Sequence, residues 1–211
     1  MKYYVKKVKK YNSHIWDKIE GTTIDKFPWD KTGYKPCTVV KMFYTDDALH
    51  IRFLSQDAVV RVNSTKFNDN VYEDSAVEFF FKPEPENDER YFNFEMNAAG
   101  VLLLQLDSKT QNRAYINNVD LSIFNIKTDV THNNYKCFSN SIPWKVEYEI
   151  PFSFIKTYFS DFQIKPGYLM NGNFYKTGSK TVIPHYGVWS YITNPAPSFH
   201  KPEFFGCIIF E

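Results

Sequence analysis

The sequence predicts an all-β fold: a two-sheet antiparallel β-sandwich, jelly-roll or immunoglobulin-like, with one or two short helices. Three observations predict it. Val and Ile together number 30 and Phe and Tyr 35, against 15 for Ala and Leu, so the apolar residues are mostly β-branched or aromatic. Such residues fill a pleated surface well and a helix poorly. Short alternations of apolar and polar residues recur along the chain, each bounded by Pro, Gly, Asn or Asp. Finally, 211 residues with 43% hydrophobic content can bury a large core, and residues 1–211 read as one domain.

Taken in order, the opening MKYYVKKVKK mixes Lys with Tyr and Val and reads as a solvated edge strand whose lysines deter pairing. Ile15, Trp16 and Ile19 ahead of Gly21 predict one amphipathic helical turn. Strands are expected at 38–44 and 48–54, joined by the polar turn Thr45-Asp46-Asp47. An antiparallel meander follows at 75–82, 90–97 and 101–107, with 83–89 and Ala98-Ala99-Gly100 as connectors. The pattern predicts further strands at 121–130, 144–150, 168–175 and 206–210, and a short helix over 151–159 that starts on its proline.

Charge excludes several classes of partner. With 25 Lys+Arg against 24 Asp+Glu the net charge is +1, and nothing steers the chain toward nucleic acid. No apolar run approaches the roughly 20 residues of a membrane helix. The start lacks the apolar stretch of an export signal, so the expectation is a soluble, cytoplasmic monomer, extracellular only if export information lies outside this chain. Cys37, Cys137 and Cys207 lie far apart without a CxxC and read as buried thiols. The acidic run Glu84, Glu86, Asp88 and Glu89 reads as a solvated loop, with a structural calcium ion as the alternative.

No phosphate-binding glycine loop, HExxH or GxSxG is present. What carries chemistry is the parity of the middle strands. Glu78 sits among apolar neighbours, and Tyr91, Asn93, Glu95 and Asn97 form one polar row of the next strand. If Glu78 and Glu95 share a face, they line one site. Carboxylates and asparagines suit a polyhydroxylated ligand, because one accepts from hydroxyls and the other both accepts and donates. The same two glutamates as general acid and base of a glycan-processing enzyme are the less favoured alternative. Near the C-terminus Asn173, Tyr175, Trp189, Phe199 and His200 gather polar and aromatic groups beside prolines. Rings on loops serve either as core wedges or as ligand platforms.

The segments YTDDALHIRF, YEDSAVEFFF, YFNFEMNAAG, IPWKVEYEIPF, NFYKTG, YGVWSYI and FHKPEFFG, in that order, resemble the family 9 carbohydrate-binding modules and the wider DOMON-like superfamily of β-sandwiches. The resemblance implies a non-catalytic domain that holds a mono- or oligosaccharide between two aromatic rings, with structural calcium and an association with glycoside hydrolases or xylanases in polysaccharide breakdown. Tyr72 and Phe199 stand where the family's two sandwiching tryptophans would be, and Glu78 matches its hydroxyl-binding glutamate. The arginine expected in the following strand has no clear counterpart: Phe92 falls there, and Arg90 is nearby. Some members of the superfamily hold haem, the least favoured possibility here, for which Met96 and His200 would be the axial ligands.

Overall fold

In the computed structural model, residues 1–9, 11–108, 113–130 and 141–211 are described. In chain order the strands among them are β1 (Lys2–Lys7), β2 (Gly21–Thr23), β3 (Cys37–Tyr44), β4 (Ala48–Asp57), β5 (Ala76–Lys82), β6 (Tyr91–Asn97) and β7 (Leu102–Asp107). There follow β8 (Ala114–Tyr115), β9 (Lys127–Thr128), β10 (Ile142–Pro151), β11 (Leu169–Gly178), β12 (His185–Val188) and β13 (Gly206–Phe210). One α-helix, α1 (Phe152–Tyr158), and four short 3-10 helices complete the set.

The strands form one curled, mixed sheet ordered β8-β7-β6-β5-β11-β13-β1-β3-β4-β10-β9, with β12 on β11 and β2 on β3. Its two halves face each other as a β-sandwich, and β1 is the corner. Lys2 to Val5 pair in parallel with β13 in one half, and Lys6 and Lys7 pair in parallel with β3 in the other. This corrects the reading of β1 as an edge strand. Its lysines are exposed, but its backbone is paired along its length, first with β13 and then with β3, while Tyr3 and Val5 point into the core.

Elsewhere the alternation is realised as expected. Leu49, Ile51 and Phe53 of β4 are fully buried, as are Val77, Phe79 and Phe81 of β5 and Phe92, Phe94 and Met96 of β6, and they meet in the core between the halves. The segment 121–130 departs from expectation. Asp120 caps a 3-10 helix, Leu121–Phe124, by accepting from the Ser122 N–H, and only Lys127 and Thr128 pair as a strand. Pro151 precedes α1 rather than opening it. Of the cysteines, Cys37 is exposed and Cys207 half-buried, which overturns the reading of buried thiols; Cys137 lies outside the described residues.

One polar network crosses the core. The inward row of β4 ends in Ser55 and Asp57, opposite Lys176 of β11. The Lys176 ammonium, wholly buried, lies 3.0 Å from an Asp57 carboxylate oxygen, donates to the Thr177 carbonyl and sits 2.8 Å from Nε2 of His185. Nδ1 of His185 lies 2.9 Å from the Ile183 carbonyl, which fixes the tautomer: Nδ1 donates to that carbonyl and Nε2 accepts from Lys176. Burial, then the Lys176 charge, push the His185 pKa down to about 4, so the ring is neutral.

Candidate functional site

The outer face of the half-sheet β8-β7-β6-β5-β11 carries the site. Strand parity aims Phe80 and Glu78 of β5, Asn93 and Glu95 of β6, Leu103 and Gln105 of β7, and Tyr175 and Thr177 of β11 away from the core. Glu78 and Glu95 are direct cross-strand partners, with Tyr175 beside Glu78 and Leu103 beside Glu95 in the same row.

A second apolar cluster covers part of this face. Phe199, Phe204 and Phe205, from the segment leading into β13, pack with Ile192 over Phe80, Tyr91 and Tyr175. The Phe199 ring stacks on Tyr175 with centroids 4.1 Å apart and planes 11° from parallel, and the Tyr175 hydroxyl donates to the Phe199 carbonyl. Beside the cluster the face is open as a cleft of about 380 Å³. Glu78 and Glu95 lie within it at 2% and 4% exposure. Phe199, Tyr186, Tyr115 and Tyr72 supply aromatic walls, and Gln105, Arg113, Ser179 and His200 are among the other polar groups. Tyr72 projects from the 3-10 helix Val71–Glu73, which is tied to the end of β11 by Ser179 N–H donating to the Tyr72 carbonyl.

The electrostatics are unusual for a surface cleft. Burial, then the adjoining Glu95, raise Glu78 well above the usual carboxylate range, against the pull of Lys176. Burial pushes Glu95 up to about 8, opposed by Arg113 and reinforced by Asp107. Two adjacent buried carboxyls hold a proton between them because ionising both would set like charges side by side. At the rim, Asp107 accepts from the Tyr91 hydroxyl at 2.8 Å and lies 3.0 Å from Nδ1 of His200. Burial works to raise Asp107, but the bonds from His200 and Tyr91 outweigh it and keep the carboxyl ionised.

The raised Glu95 pKa has a consequence for stability. In the unfolded chain the carboxyl ionises near 4.5, whereas in the fold it holds its proton to about 8, so the folded state binds more protons in between. This contribution makes stability fall as pH rises from about 4.5 through about 8. Glu95→Gln is therefore expected to flatten that slope and raise the melting temperature most at the alkaline end. Thermal melts across this range check it, and an unchanged slope would refute the assignment.

A sequence profile of carbohydrate-binding family 9 matches residues 12–210. The chain belongs to that family. A protein of Bacteroides uniformis ATCC 8492, provisionally described as carbohydrate-binding, is 30% identical and aligns over 100% of this chain and 99% of its own, with a TM-score of 0.86. Two structures of a family 9 module from Caldicellulosiruptor kristjanssonii share the fold. The glucose complex is 14% identical, with coverage of 100% and 96% and a TM-score of 0.65. The cellotriose complex is 15% identical, with coverage of 100% and 94% and a TM-score of 0.63. No curated protein matches the chain.

In this family 9 protein the cleft brings together Tyr72, Glu78, Glu95, Phe199 and His200 from the residues expected in the site. The other four do not line it. Trp189 is a core residue, fully buried, with its indole N–H donating to Thr22 Oγ1. Asn173 is consumed by backbone, donating to the Ser190 carbonyl and accepting from the Phe174 and Ser190 N–H groups. Tyr175 lies beneath Phe199 as its support, and Asn93 braces Gln105 from below, its Nδ2 donating to Oε1. Arg113, Gln105 and Tyr115 enter the site without having been expected there. The alternation Leu103, Gln105, Asp107 carried a signal for Gln105; for Arg113 and Tyr115, on or beside the two-residue strand β8, no strand pattern did.

Arg90 does not replace the missing strand arginine: it chelates Asp88 and donates to the Tyr158 carbonyl. The acidic loop does not fit a calcium ion. Arg90 engages Asp88, and among the described residues no three His, Cys, Asp or Glu side chains are grouped to hold a metal. Glu84, which is buried rather than solvated, and Glu86 border a larger groove of about 610 Å³ that has no pair of facing buried carboxyls like Glu78 and Glu95. Haem ligation by Met96 and His200 is excluded geometrically, because Met96 faces the core and His200 the opposite side of the sheet.

Proposed function

We propose that this protein binds a mono- or oligosaccharide in the outer-face cleft and does not turn it over. The observation that carries the reading is the pairing of aromatic walls, Phe199 above all, with the buried Glu78 and Glu95 in one cleft of about 380 Å³. Apolar C–H faces of a sugar ring lie on Phe199 and Tyr72, while carboxyl and amide groups take up its hydroxyls. The volume is at the small end of the roughly 300–1,000 Å³ typical of ligand sites and suits a short saccharide. The family assignment and the glucose and cellotriose complexes of the Caldicellulosiruptor module support the same reading.

The hydrolase alternative is less well supported. Glu78 and Glu95 rise from one sheet row and approach a ligand from one side, whereas glycoside hydrolysis places its two carboxyl groups flanking the scissile bond. Calorimetric titration with mono- and disaccharides and with cello- and xylo-oligosaccharides tests the proposal, alongside hydrolysis assays on the same sugars. Saturable heat without product is the expected result. Turnover abolished by Glu78→Gln or Glu95→Gln would replace binding with catalysis.

A further inference from the structure

Resting on the saccharide reading, we propose that the preferred ligand is an amino sugar with a free, protonated amine, whose ring lies on Phe199 and whose ammonium donates to Glu78 and Glu95. The argument begins with what these carboxyls lack. They are cross-strand neighbours, almost wholly buried, and both line the cleft. Among the described residues, neither accepts a hydrogen bond from the protein; what acts on each is burial and the charges around it. Buried polar groups in folded proteins nearly always have partners. A side-by-side pair without them, opening into a ligand cleft, awaits donors from the ligand.

The charges around the pair indicate what kind of donor. Arg113 is half-exposed and lies 3.7 Å from Asp107. His200 is also engaged with Asp107, at 3.0 Å. Lys176 projects to the opposite face of the sheet and is paired with Asp57. Each of these basic groups is thus committed to another carboxylate, and the glutamate pair has no counter-ion of its own. Burial holds the pair's protons in the free protein, and a neutral sugar brings hydroxyls but nothing to offset the charge of the ionised form. An ammonium brings three donors and a positive charge together. The exposed faces of Tyr72 and Tyr115, both lining the cleft, favour a cation as well. N-acetylation removes the charge while keeping the ring, so it separates this proposal from simple sugar stacking.

The test is calorimetric titration of the intact chain, slightly below neutral pH, with glucosamine, N-acetylglucosamine, glucose and the β-1,4-linked disaccharide of glucosamine. Glucosamine is expected to bind at least about tenfold more tightly than glucose or N-acetylglucosamine, the advantage of a charged over a neutral donor. A further gain with the disaccharide would identify a chain as the source, and no gain a free monosaccharide. In Glu78→Gln and in Glu95→Gln, each confirmed folded by circular dichroism, the ratio of glucosamine to glucose affinity is expected to fall toward one. Glucose binding as tightly as glucosamine to the unmodified protein would overturn this inference and leave the saccharide reading standing. Silence from all four sugars and from cello- and xylo-oligosaccharides would overturn both. A tenfold preference surviving in both variants would remove the glutamate pair as its cause.

Discussion

Asp57→Ala is expected to lower folding stability by about 3–5 kcal/mol, the usual cost of removing one partner from a buried ion pair. Lys176 is wholly buried on the inner face of β11, and its ammonium has the Asp57 carboxylate 3.0 Å away as its charge partner. Its other contacts, the Thr177 carbonyl and His185, are neutral, and Trp144 lies 5.4 Å beneath it. Burial already pulls the Lys176 pKa down, and Asp57 opposes that pull. Without Asp57 the lysine either sheds its proton or draws water into the core, and Ser55, which donates to Asp57, keeps only its side-chain bond with Thr38. For a chain of this size the loss corresponds to a melting-point drop on the order of 10 °C, read by calorimetry or circular dichroism. The double variant Asp57→Leu with Lys176→Met should recover most of it, since an apolar pair of similar volume carries no desolvation cost. A melting point for Asp57→Ala within about 2 °C of the parent would show that the pair contributes little.

The second large effect concerns the ligand. Phe199→Ala is expected to weaken saccharide binding by at least about tenfold, because it removes a ring that stacks on Tyr175 and lines the cleft. Phe199 is also 9% exposed and part of the outer cluster, so its removal lowers stability too. Tyr72→Ala separates the two effects. At 40% exposure Tyr72 contributes little to the fold, and its variant should melt close to the parent while losing a comparable part of its affinity. Titration of both variants with the best ligand of the parent decides the matter. Undiminished affinity in both would move the binding site elsewhere on the molecule.

Much of this was legible in the sequence because strand parity is a local property. The alternation of Leu49, Ile51 and Phe53 fixed which face of β4 meets the core, and the same period set Glu78 and Glu95 on the other side of the sheet from Phe79 and Phe94. Register is not local, and only the fold shows that the two glutamates are opposite each other. Aromatic residues near the C-terminus were harder for a related reason. Tyr175, Trp189 and Phe199 look alike in composition, yet one supports, one fills the core and one lines the cleft, according to which element covers each. The segment 121–130 misled because Leu121 and Ile123 alternate with Ser122 as in a strand, while the Asp120 cap selects a helical turn. The lysine pattern of β1 suggested an edge because nothing nearby in sequence announces β13 as its neighbour.

That corner strand bears on the order in which the molecule can assemble. Hairpins β3–β4 and β5–β6–β7 pair over short stretches of chain and can form as they are made. Closure cannot, because β1 needs β13, which follows it by about 200 residues, and Glu211 N–H bonds back to the Val5 carbonyl. A nascent chain therefore carries β5, β6 and β7 with the sandwich still open until β13 is made, its apolar inner faces available to chaperones or to misassembly. Within this domain β13 docks against β1, and that late event converts paired hairpins into a closed sandwich.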